Sequence, residues 1–277
     1  MKLSGISIGG RSVSGFETAL VLPEMGISLD CGLGSAQARQ CQYVLVTHGH
    51  LDHFGGIVRH AYIRHMTDMA PSVFVVPPHL EAAVHEQFAF WAKVQNAQKA
   101  DYQVIVARPG EKTVLGGGNR YVRPFKTIHR VPSQGYVIGE TRKRLKPEYI
   151  GVEGRKLGEM KRAGTVIEDT VEVPMVAFTG DTVAKVFDGE GAQEALKATV
   201  LITECTFING DVTVAEAHKK GHVHISELAD RADRFADNEH VVLCHFSHRH
   251  GNEDVKDAIQ RLPVSLRDKT AYIPVGH

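Results

Sequence analysis

The sequence contains little cysteine, no excess of charge of either sign and no long apolar run. Its four cysteines, Cys31, Cys41, Cys205 and Cys244, form no Cys-x-x-Cys pair, which argues against a thiolate metal site. Lys and Arg balance Asp and Glu at 32 each, so no overall field attracts nucleic acid and any basic surface must be local. No apolar run approaches the roughly 20 residues of a membrane span, and no leader pattern begins the chain. We therefore expect a cytoplasmic protein that contacts no membrane and keeps its cysteines as buried free thiols.

The composition is that of an ordinary globular protein. Of 277 residues, 43% are hydrophobic and 23% are charged. This length suits one large α/β domain or two small ones. Predicted strands followed by helices occur in both halves of the chain, and no linker composition separates the halves. We predict a single domain over residues 1–277.

The most informative stretch follows a predicted buried strand at residues 43–46. His48, His50, Asp52 and His53 stand on the tight turn between that strand and a predicted helix. His48 and His50 are positioned to bind one metal ion, and Asp52 and His53 a second ion nearby. Imidazole and carboxylate ligands without thiolate are typical of a catalytic zinc site or of a similar first-row metal. The alternative is a His-rich surface loop in a chain with 16 His, and this spacing argues against it.

This His-x-His-x-Asp-His motif resembles the signature of the metallo-β-lactamase superfamily. The resemblance implies an α/β fold of four layers, an αββα sandwich, with the metals at strand ends. It also implies three later ligands in order: a His, a bridging Asp and a late His. His129, Asp181 and His245 each follow a predicted strand and occupy those positions. The implied ligands are His48, His50 and His129 for one ion, Asp52, His53 and His245 for the other, and Asp181 between them.

Further segments resemble the tRNase Z (ribonuclease Z) branch of this superfamily, and they are most similar to its short plant-type form. These segments are Phe125–Val137, Pro147–Gly151, Phe-Thr-Gly-Asp-Thr around Asp181, Glu204-Cys-Thr-Phe, the Gly-His before Ser226 and His245-Phe-Ser-x-Arg. The resemblance implies a metal-dependent endoribonuclease that removes the 3′ trailer of precursor tRNA through a metal-activated hydroxide. It also implies two zinc ions per protomer, with manganese as the alternative metal, and a homodimer whose partner is precursor tRNA.

The resemblance also implies roles for residues around the metals. Asp52 would orient the attacking water. Glu204 would hold His222 protonated, so that His222 can protonate the leaving ribose oxygen. Such general acid catalysis contributes roughly 10²–10⁴-fold to a rate. His224 stands two residues from His222 and is the alternative general acid.

Substrate contacts are expected beside the metals and on a basic insertion. Residues 141–170 have a local basic bias and stand where family members carry the arm that grips tRNA, so we interpret them as a reduced arm. A solvated surface of mixed charge is the alternative. The insertion lacks the long Gly-Pro-rich tip of bacterial members. Gly9–Ser14 stands where the family often carries a Pro-x-Lys-x-Arg-Asn loop near the N-terminus. The expected substrate-binding residues are Ser133, Arg249, Arg142, Lys143, Arg144 and Lys146.

Two other functions compete with pre-tRNA cleavage. A hydrolase of a small ester, thioester, lactone or phosphodiester would need the same metals, but neither the Glu204–His222 pair nor a basic surface. A non-catalytic binding protein on a decayed hydrolase scaffold would not need the complete set of ligands.

The remaining pattern predicts the elements that surround the motifs. We predict a β-meander over residues 2–30, helices near 57–68, 77–97, 191–198, 213–220, 226–237 and 252–262, and an edge strand at 272–274. Ser226 is the predicted N-cap of the fifth of these helices.

Several polar residues have alternative interpretations. Asp30, at a predicted strand end, is either a hydrogen-bond partner of a ligating His or a turn residue. His60, His65, His79 and His85 lie in predicted helices and are interpreted as surface or capping residues.

Overall fold

The computed structural model describes residues 1–276, and its strands form the two central layers of the molecule. The strands are β1 (Lys2–Leu3), β2 (Ile6–Ser7), β3 (Gly9–Ser14), β4 (Glu17–Leu22), β5 (Ile27–Leu29), β6 (Tyr43–Leu45), β7 (Ser72–Val76), β8 (Tyr102–Val106), β9 (Thr113–Val114), β10 (Arg120–Lys126), β11 (Gln134–Leu145), β12 (Glu168–Phe178), β13 (Val200–Glu204), β14 (His240–Cys244), β15 (Phe246–Ser247) and β16 (Thr270–Tyr272).

Helices form the outer layers and several of the connections. The α-helices are α1 (Leu51–Phe54), α2 (Ile57–Met66), α3 (Glu81–Gln95), α4 (Gly154–Arg162), α5 (Val214–Lys220), α6 (Ile225–Ala229), α7 (Asn252–Gln260) and α8 (Val264–Arg267). Among residues 1–276, no helix has the length and apolar content that crossing a bilayer requires.

The strands pair into two sheets of seven strands each. One sheet has the order β15-β3-β4-β5-β6-β7-β8, and the other has the order β16-β14-β13-β12-β11-β10-β9. β3, β4 and β5 pair antiparallel, which confirms the predicted meander. β5 to β8 then pair parallel in the first sheet, as do β12, β13, β14 and β16 in the second.

Alternating side chains divide the apolar residues among three layers of core. Leu45 and Val75 face the space between the sheets together with Ile202, whereas Val44 and Phe74 face the helices α2 and α3. In the second sheet, the residues that face away from the first sheet pack against the helices α6, α7 and α8. Each central strand is therefore buried on both faces, as its apolar run predicts. This arrangement is the expected αββα sandwich.

Two helix predictions in the second half are wrong. The segment 191–198 forms two short 3-10 turns, Glu190–Ala192 and Ala195–Lys197, rather than one helix. The helix expected over 226–237 ends at Ala229, and a separate 3-10 turn, Ala232–Phe235, follows it. The apolar residues of these segments fit short turns packed on the sheet as well as they fit a continuous helix, so periodicity alone did not separate the two.

His60 also differs from its prediction. It is fully buried rather than on the surface, with ring nitrogens 2.9 Å from the Ser72 hydroxyl and 3.0 Å from the Ala38 carbonyl. Its burial lowers the pKa of the imidazole to about 4, so His60 is a neutral core residue with both nitrogens partnered. His65, His79 and His85 are exposed as expected.

Residues 141–170 form an extension of β11 and β12 that ends in α4. β10 pairs with β11 only as far as Glu140, and β13 pairs with β12 only at Val176–Phe178. Beyond those points, Thr141–Leu145 pairs with Glu168–Glu172 as a two-stranded ribbon that projects past the sheet. We call residues 141–172, which contain this ribbon and α4, the arm.

All four cysteines are buried and free, as predicted.

Candidate active site

The polar residues of the motifs gather where parallel strands end. His48 to His53 follow β6, and Asp181 follows β12. Glu204 ends β13, and His245 directly follows β14. β6 belongs to the first sheet and β12, β13 and β14 to the second. The carboxyl ends of parallel strands meet at the same edge of a sheet, and the two sheets bring these edges together at the site.

His48, His50 and His129 form the first cluster with Asp181. The His50 Nδ1 atom lies 3.0 Å from His48 Nε2 and 3.3 Å from His129 Nε2. Ligands about 2.0–2.1 Å from a tetrahedral zinc ion stand about 3.3 Å apart, so these nitrogen atoms have the spacing of ligands to one ion.

Asp52, His53 and His245 form the second cluster. The Nε2 atoms of His53 and His245 are 3.2 Å apart, and Asp52 Oδ2 lies 3.6 Å and 3.5 Å from them. This cluster offers two imidazoles and one carboxylate, which again matches the ligand chemistry of zinc and similar metals.

Asp181 lies between the two clusters and directs one oxygen at each. Its Oδ1 is 3.3 Å from His53 Nε2 and 3.4 Å from His245 Nε2, whereas its Oδ2 is 3.7 Å from His48 Nε2 and 3.8 Å from His129 Nε2. Oδ1 is buried and has no hydrogen-bond partner within residues 1–276, which is costly for a carboxylate unless a cation binds there. The residues present therefore fit a pair of metal ions bridged by Asp181.

Hydrogen bonds orient the rings of four of the five candidate His ligands, His48, His53, His129 and His245. His53 Nδ1 lies 2.7 Å from Asp30 Oδ2, and Asp30 also accepts the backbone N–H of Thr47 at 2.7 Å. His48 Nδ1 lies 2.9 Å from the Thr47 hydroxyl. Asp30 is thus the partner of a candidate ligand, as one of its two interpretations predicted, and this contact fixes which nitrogen of His53 faces the metals.

The other two of these four imidazoles are held by Gly221 and Thr206, which lie in the motif segments but had no predicted role. His129 Nδ1 donates to the Gly221 carbonyl at 2.8 Å, and His245 Nδ1 lies 3.1 Å from the Thr206 hydroxyl. A Cβ on Gly221 would stand 2.6 Å from His129 Nδ1, so this close approach and its φ of 78° both require glycine. His245 has a φ of 59°, an uncommon conformation for a non-glycine residue that orients its ring toward the centre.

The first cluster favours neutral imidazoles. Burial lowers the pKa of His48 to about 2, and burial also lowers the pKa of His50 and His129. Burial opposes charge on Asp181, but the surrounding His245 and His53 outweigh it and hold its pKa well below the usual value. Neutral imidazoles and an ionised carboxylate are the forms that bind metal.

Glu204 and His222 form a buried pair beside these clusters. Glu204 Oε1 lies 2.9 Å from His222 Nδ1 and accepts the Thr182 N–H at 2.7 Å. Its Oε2 accepts the Thr206 hydroxyl at 2.7 Å and the Val223 N–H at 3.2 Å. Burial opposes the charged form of His222, but the charge of Glu204 and this hydrogen bond outweigh it and raise its pKa.

The structure separates His222 from His224. His224 Nδ1 lies 2.8 Å from the Ser226 hydroxyl and accepts the Ser226 N–H, so His224 is the N-cap of α6 and the prediction of Ser226 as the cap is wrong. Within residues 1–276, His224 makes no hydrogen bond or ion pair with Glu204, whereas the His222 ring centroid lies 5.1 Å from that of His129.

The expected substrate-binding residues fall in different places. Ser133 is half-buried, with its hydroxyl 2.6 Å from that of Thr127, and it lines a cavity of about 570 Å³ beside His129. The exposed cations Lys126 and Arg130 line the same cavity. Arg249 is exposed just after β15, near the site in sequence. Arg142, Lys143, Arg144 and Lys146 lie on the arm, away from the metal clusters.

Asp52 has a contact that the sequence did not reveal. Its Oδ2 accepts the backbone N–H of Gly15 at 2.8 Å. Gly9–Ser14 forms the strand β3, and Gly15 belongs to the turn that connects β3 to β4 and reaches Asp52. Because the donor is a backbone N–H, residue type gave no signal for it.

Comparisons with known proteins agree with this geometry. A family model described as a beta-lactamase superfamily domain matches residues 29–246. tRNase Z TRZ1 of Arabidopsis thaliana is 33% identical over 276 residues, covering 100% of this chain and 98% of the relative. The chloroplastic tRNase Z TRZ2 of the same plant is also 33% identical, over 100% of this chain and 77% of the relative.

A solved structure supports the fold independently. The crystal structure of the short form of human tRNase Z matches with a TM-score of 0.62 at 17% identity, over 97% of this chain and 96% of that one. At this identity the likeness concerns the fold alone. With the full-length relatives and the superfamily match, the chain belongs to the tRNase Z family of the β-lactamase superfamily.

Proposed function

We propose that this protein is a tRNA 3′-processing endoribonuclease that removes the trailer of precursor tRNA. The observation that carries this proposal is the buried Glu204–His222 pair, which stands beside two candidate metal clusters. Phosphodiester cleavage in RNA expels a ribose oxygen, a poor leaving group that needs a proton. A small ester, thioester or lactone with a good leaving group does not need that acid.

The metals are proposed to be two zinc ions, with manganese as the alternative. His48, His50 and His129 would hold one ion, Asp52, His53 and His245 the other, and Asp181 both. When bound, such ions supply Lewis-acid stabilisation of phosphoryl oxygens and a water of lowered pKa.

Residues of the chain orient the attacking water and protonate the leaving group. Asp52, held by the Gly15 N–H, is positioned to accept a hydrogen bond from the attacking water and orient it. His222 holds a proton on its ring through Glu204 and is positioned to deliver it to the leaving 3′ oxygen. Cleavage then leaves a 3′-hydroxyl on the tRNA and a 5′-phosphate on the trailer.

We propose two sets of RNA contacts, one near the cleavage point and one on the arm. Ser133 and Arg249 would contact RNA near the cleavage point. Arg142 is eight positions along β11 from Gln134, about 26 Å at roughly 3.3 Å per residue, so the arm would reach the body of the tRNA.

We also propose that the chain is one domain and acts as a homodimer in the cytoplasm. Strands from both halves share the core between the sheets, which favours one domain. Phe90, Trp91 and Val94 are exposed on one side of α3, and such a patch is characteristic of a subunit interface.

The test is cleavage of a labelled precursor tRNA with a 3′ trailer by the purified protein. We expect a single cut at the trailer junction, about two metal ions per protomer by elemental analysis, and loss of cleavage on chelation. Asp181→Asn should keep the fold and lose both metal and cleavage. Hydrolysis of small esters with no cleavage of precursor tRNA would contradict the proposal and favour the small-substrate hydrolase.

A further inference from the structure

Two exposed aromatic side chains, Phe16 and His248, lie next to residues of the candidate site in the chain and have no role in the chemistry described above. Phe16 follows Gly15, whose N–H binds Asp52. His248 stands three residues after His245. β15 pairs with the end of β3 through Phe246↔Val13 and Ser247↔Ser14, and this pairing brings the two side chains together.

The pair presents an aromatic surface to solvent. The ring centroids of Phe16 and His248 are 5.1 Å apart, with an angle of 51° between the ring planes. Phe16 is 53% exposed and His248 is exposed as well. Leu51, between the candidate ligands His50 and Asp52, is 81% exposed, so a further apolar side chain is exposed beside residues of the candidate site.

The core does not account for these exposed side chains. Phe16 belongs to none of the apolar clusters within residues 1–276, and its turn is fixed by backbone hydrogen bonds such as Phe16 N–H to the Val13 carbonyl at 3.0 Å. A polar residue would satisfy that turn equally well. Apolar residues exposed beside a site are characteristic of ligand contact.

The chemistry of the substrate suggests what the pair contacts. The candidate ligand Asp181 is only 2% exposed, so the centre lies below the protein surface, and an unpaired RNA strand can bring a phosphate to it with the adjoining bases free for other contacts. Unpaired bases stack on Phe and His rings in proteins that bind single-stranded RNA, and this stacking is tolerant of sequence. An enzyme that processes many precursor tRNAs needs that tolerance.

We infer that Phe16 and His248 form a stacking platform for the base of a nucleotide adjoining the scissile phosphate. This inference rests on the proposed function and adds a substrate contact to it. The platform holds the strand in register, so that the phosphate on one side of the base meets the metal clusters.

The test combines protein variants with RNA that lacks single bases. Phe16→Ala should lower kcat/KM on intact precursor tRNA about tenfold, within the roughly 5- to 150-fold that base–aromatic stacking supplies. On one of two RNAs, each abasic at a nucleotide adjoining the cleavage point, the same substitution should have almost no effect. Phe16→Trp should restore activity, and Phe16→Leu should not.

Further variants test the two rings separately. His248→Phe should retain activity, and His248→Ala should lose it with the same dependence on the abasic RNA. Met66→Ala, at a side chain that is 69% exposed on α2, is the control for removal of an exposed apolar group. Equal losses for Phe16→Ala on all three RNAs, or equal losses for His248→Phe and His248→Ala, would overturn the platform.

A fluorescence measurement separates this inference from the proposed function. 2-Aminopurine at the same two positions in a short single-stranded RNA should be quenched on binding to the metal-loaded wild-type protein and not to Phe16→Ala. If the wild type cleaves precursor tRNA and the quenching does not depend on Phe16, the platform is wrong and the function stands. If quenching depends on Phe16 but precursor tRNA is not cleaved, the platform stands and the proposed substrate is wrong.

Discussion

At the residue scale, the Glu204–His222 pair distinguishes this site from a general two-metal hydrolase. Both Glu204 oxygens are buried, and each accepts hydrogen bonds, so no part of the buried carboxylate is left without a partner. Thr206 connects this pair to His245, because its hydroxyl contacts both residues. Loss of any one of Glu204, Thr206 and His222 should therefore disturb the proposed proton donor and a candidate metal ligand together.

Replacement of His222 should affect substrates according to their leaving group. We expect His222→Ala to slow precursor tRNA cleavage by roughly 10²–10⁴-fold, the usual contribution of a general acid. Bis(p-nitrophenyl) phosphate hydrolysis should slow much less, since nitrophenolate leaves without a proton. Steady-state kinetics on both substrates measure the difference.

His224→Ala is the matched control for this variant. His224 caps α6, so its loss should cost about 0.5–2 kcal/mol of unfolding free energy without selectivity between substrates. Equal losses of His222→Ala on both substrates would indicate a structural role for His222. If His224→Ala instead slows precursor tRNA cleavage much more than bis(p-nitrophenyl) phosphate hydrolysis, His224 rather than His222 is the general acid.

The sequence predicts the His, Asp and Glu residues of the site better than it predicts the residues that hold them by hydrogen bonds. The His-x-His-x-Asp-His spacing and the strand-end positions identified the residues that the structure brings together, because their chemistry is rare and local. Thr206, Gly221 and Gly15 could not be identified in this way. They act through a hydroxyl, a carbonyl and a backbone N–H, which many residues offer, and only the fold brings them to the site.

At the element scale, the apolar runs of the sequence predict the central strands correctly. They predict the helices of the second half less well. β13 and β14 are buried on both faces, so their continuous apolar runs had no competing interpretation. α6 ends at Ala229 although the apolar residues continue to Phe235. There the chain packs on the sheet in a 3-10 turn, and tertiary contacts rather than periodicity decide the boundary.

The arm is the element on which the proposed RNA binding depends. Its charges are partly neutralised, because Arg142 lies 3.2 Å from Glu140 and Lys161 lies 3.1 Å from Glu168. Lys143 is 72% exposed, and its ammonium is 4.0 Å from the same Glu168. Exposed pairs of this kind contribute little to stability, so these cations remain able to exchange partners with phosphates.

Removal of the arm's cations should weaken RNA binding in a salt-dependent way. We expect replacement of Arg142, Lys143, Arg144 and Lys146 by Ser to lower the affinity for precursor tRNA. The slope of log affinity against log salt should decrease by roughly 0.7–0.9 for each phosphate that the arm no longer neutralises. Filter binding or fluorescence anisotropy at several salt concentrations measures both quantities.

A control with the same change of charge makes this test specific. Lys2, Lys99, Lys256 and Arg261 are exposed outside the arm, and their replacement by Ser changes the net charge equally. We expect a much smaller change of slope there. Unchanged affinity and slope in the arm variant would mean that the arm is only a solvated extension.

At the scale of the whole molecule, α3 has more apolar surface than one chain can bury. Val84 and Phe88 face the core next to β7 and β8, as expected for an amphipathic helix. Phe90 and Val94 are each 59% exposed and Trp91 is 43% exposed, and the Phe90 and Trp91 rings are 5.6 Å apart. This apolar face on the outer layer of the sandwich is the proposed interface with a second copy of the chain.

Charge on this face should therefore dissociate the proposed dimer. We expect the wild type to have twice the chain mass of 30.4 kDa, and Trp91→Lys to have that of a single chain, by light scattering during gel filtration. If the arm of one subunit grips tRNA cleaved by the other, Trp91→Lys should also weaken precursor tRNA binding. Hydrolysis of bis(p-nitrophenyl) phosphate should be retained, since each chain holds a complete set of candidate ligands. Val264→Lys, on the exposed side of α8, is the matched control. This face is excluded as the interface if the wild type is a monomer or if the dimer persists in Trp91→Lys.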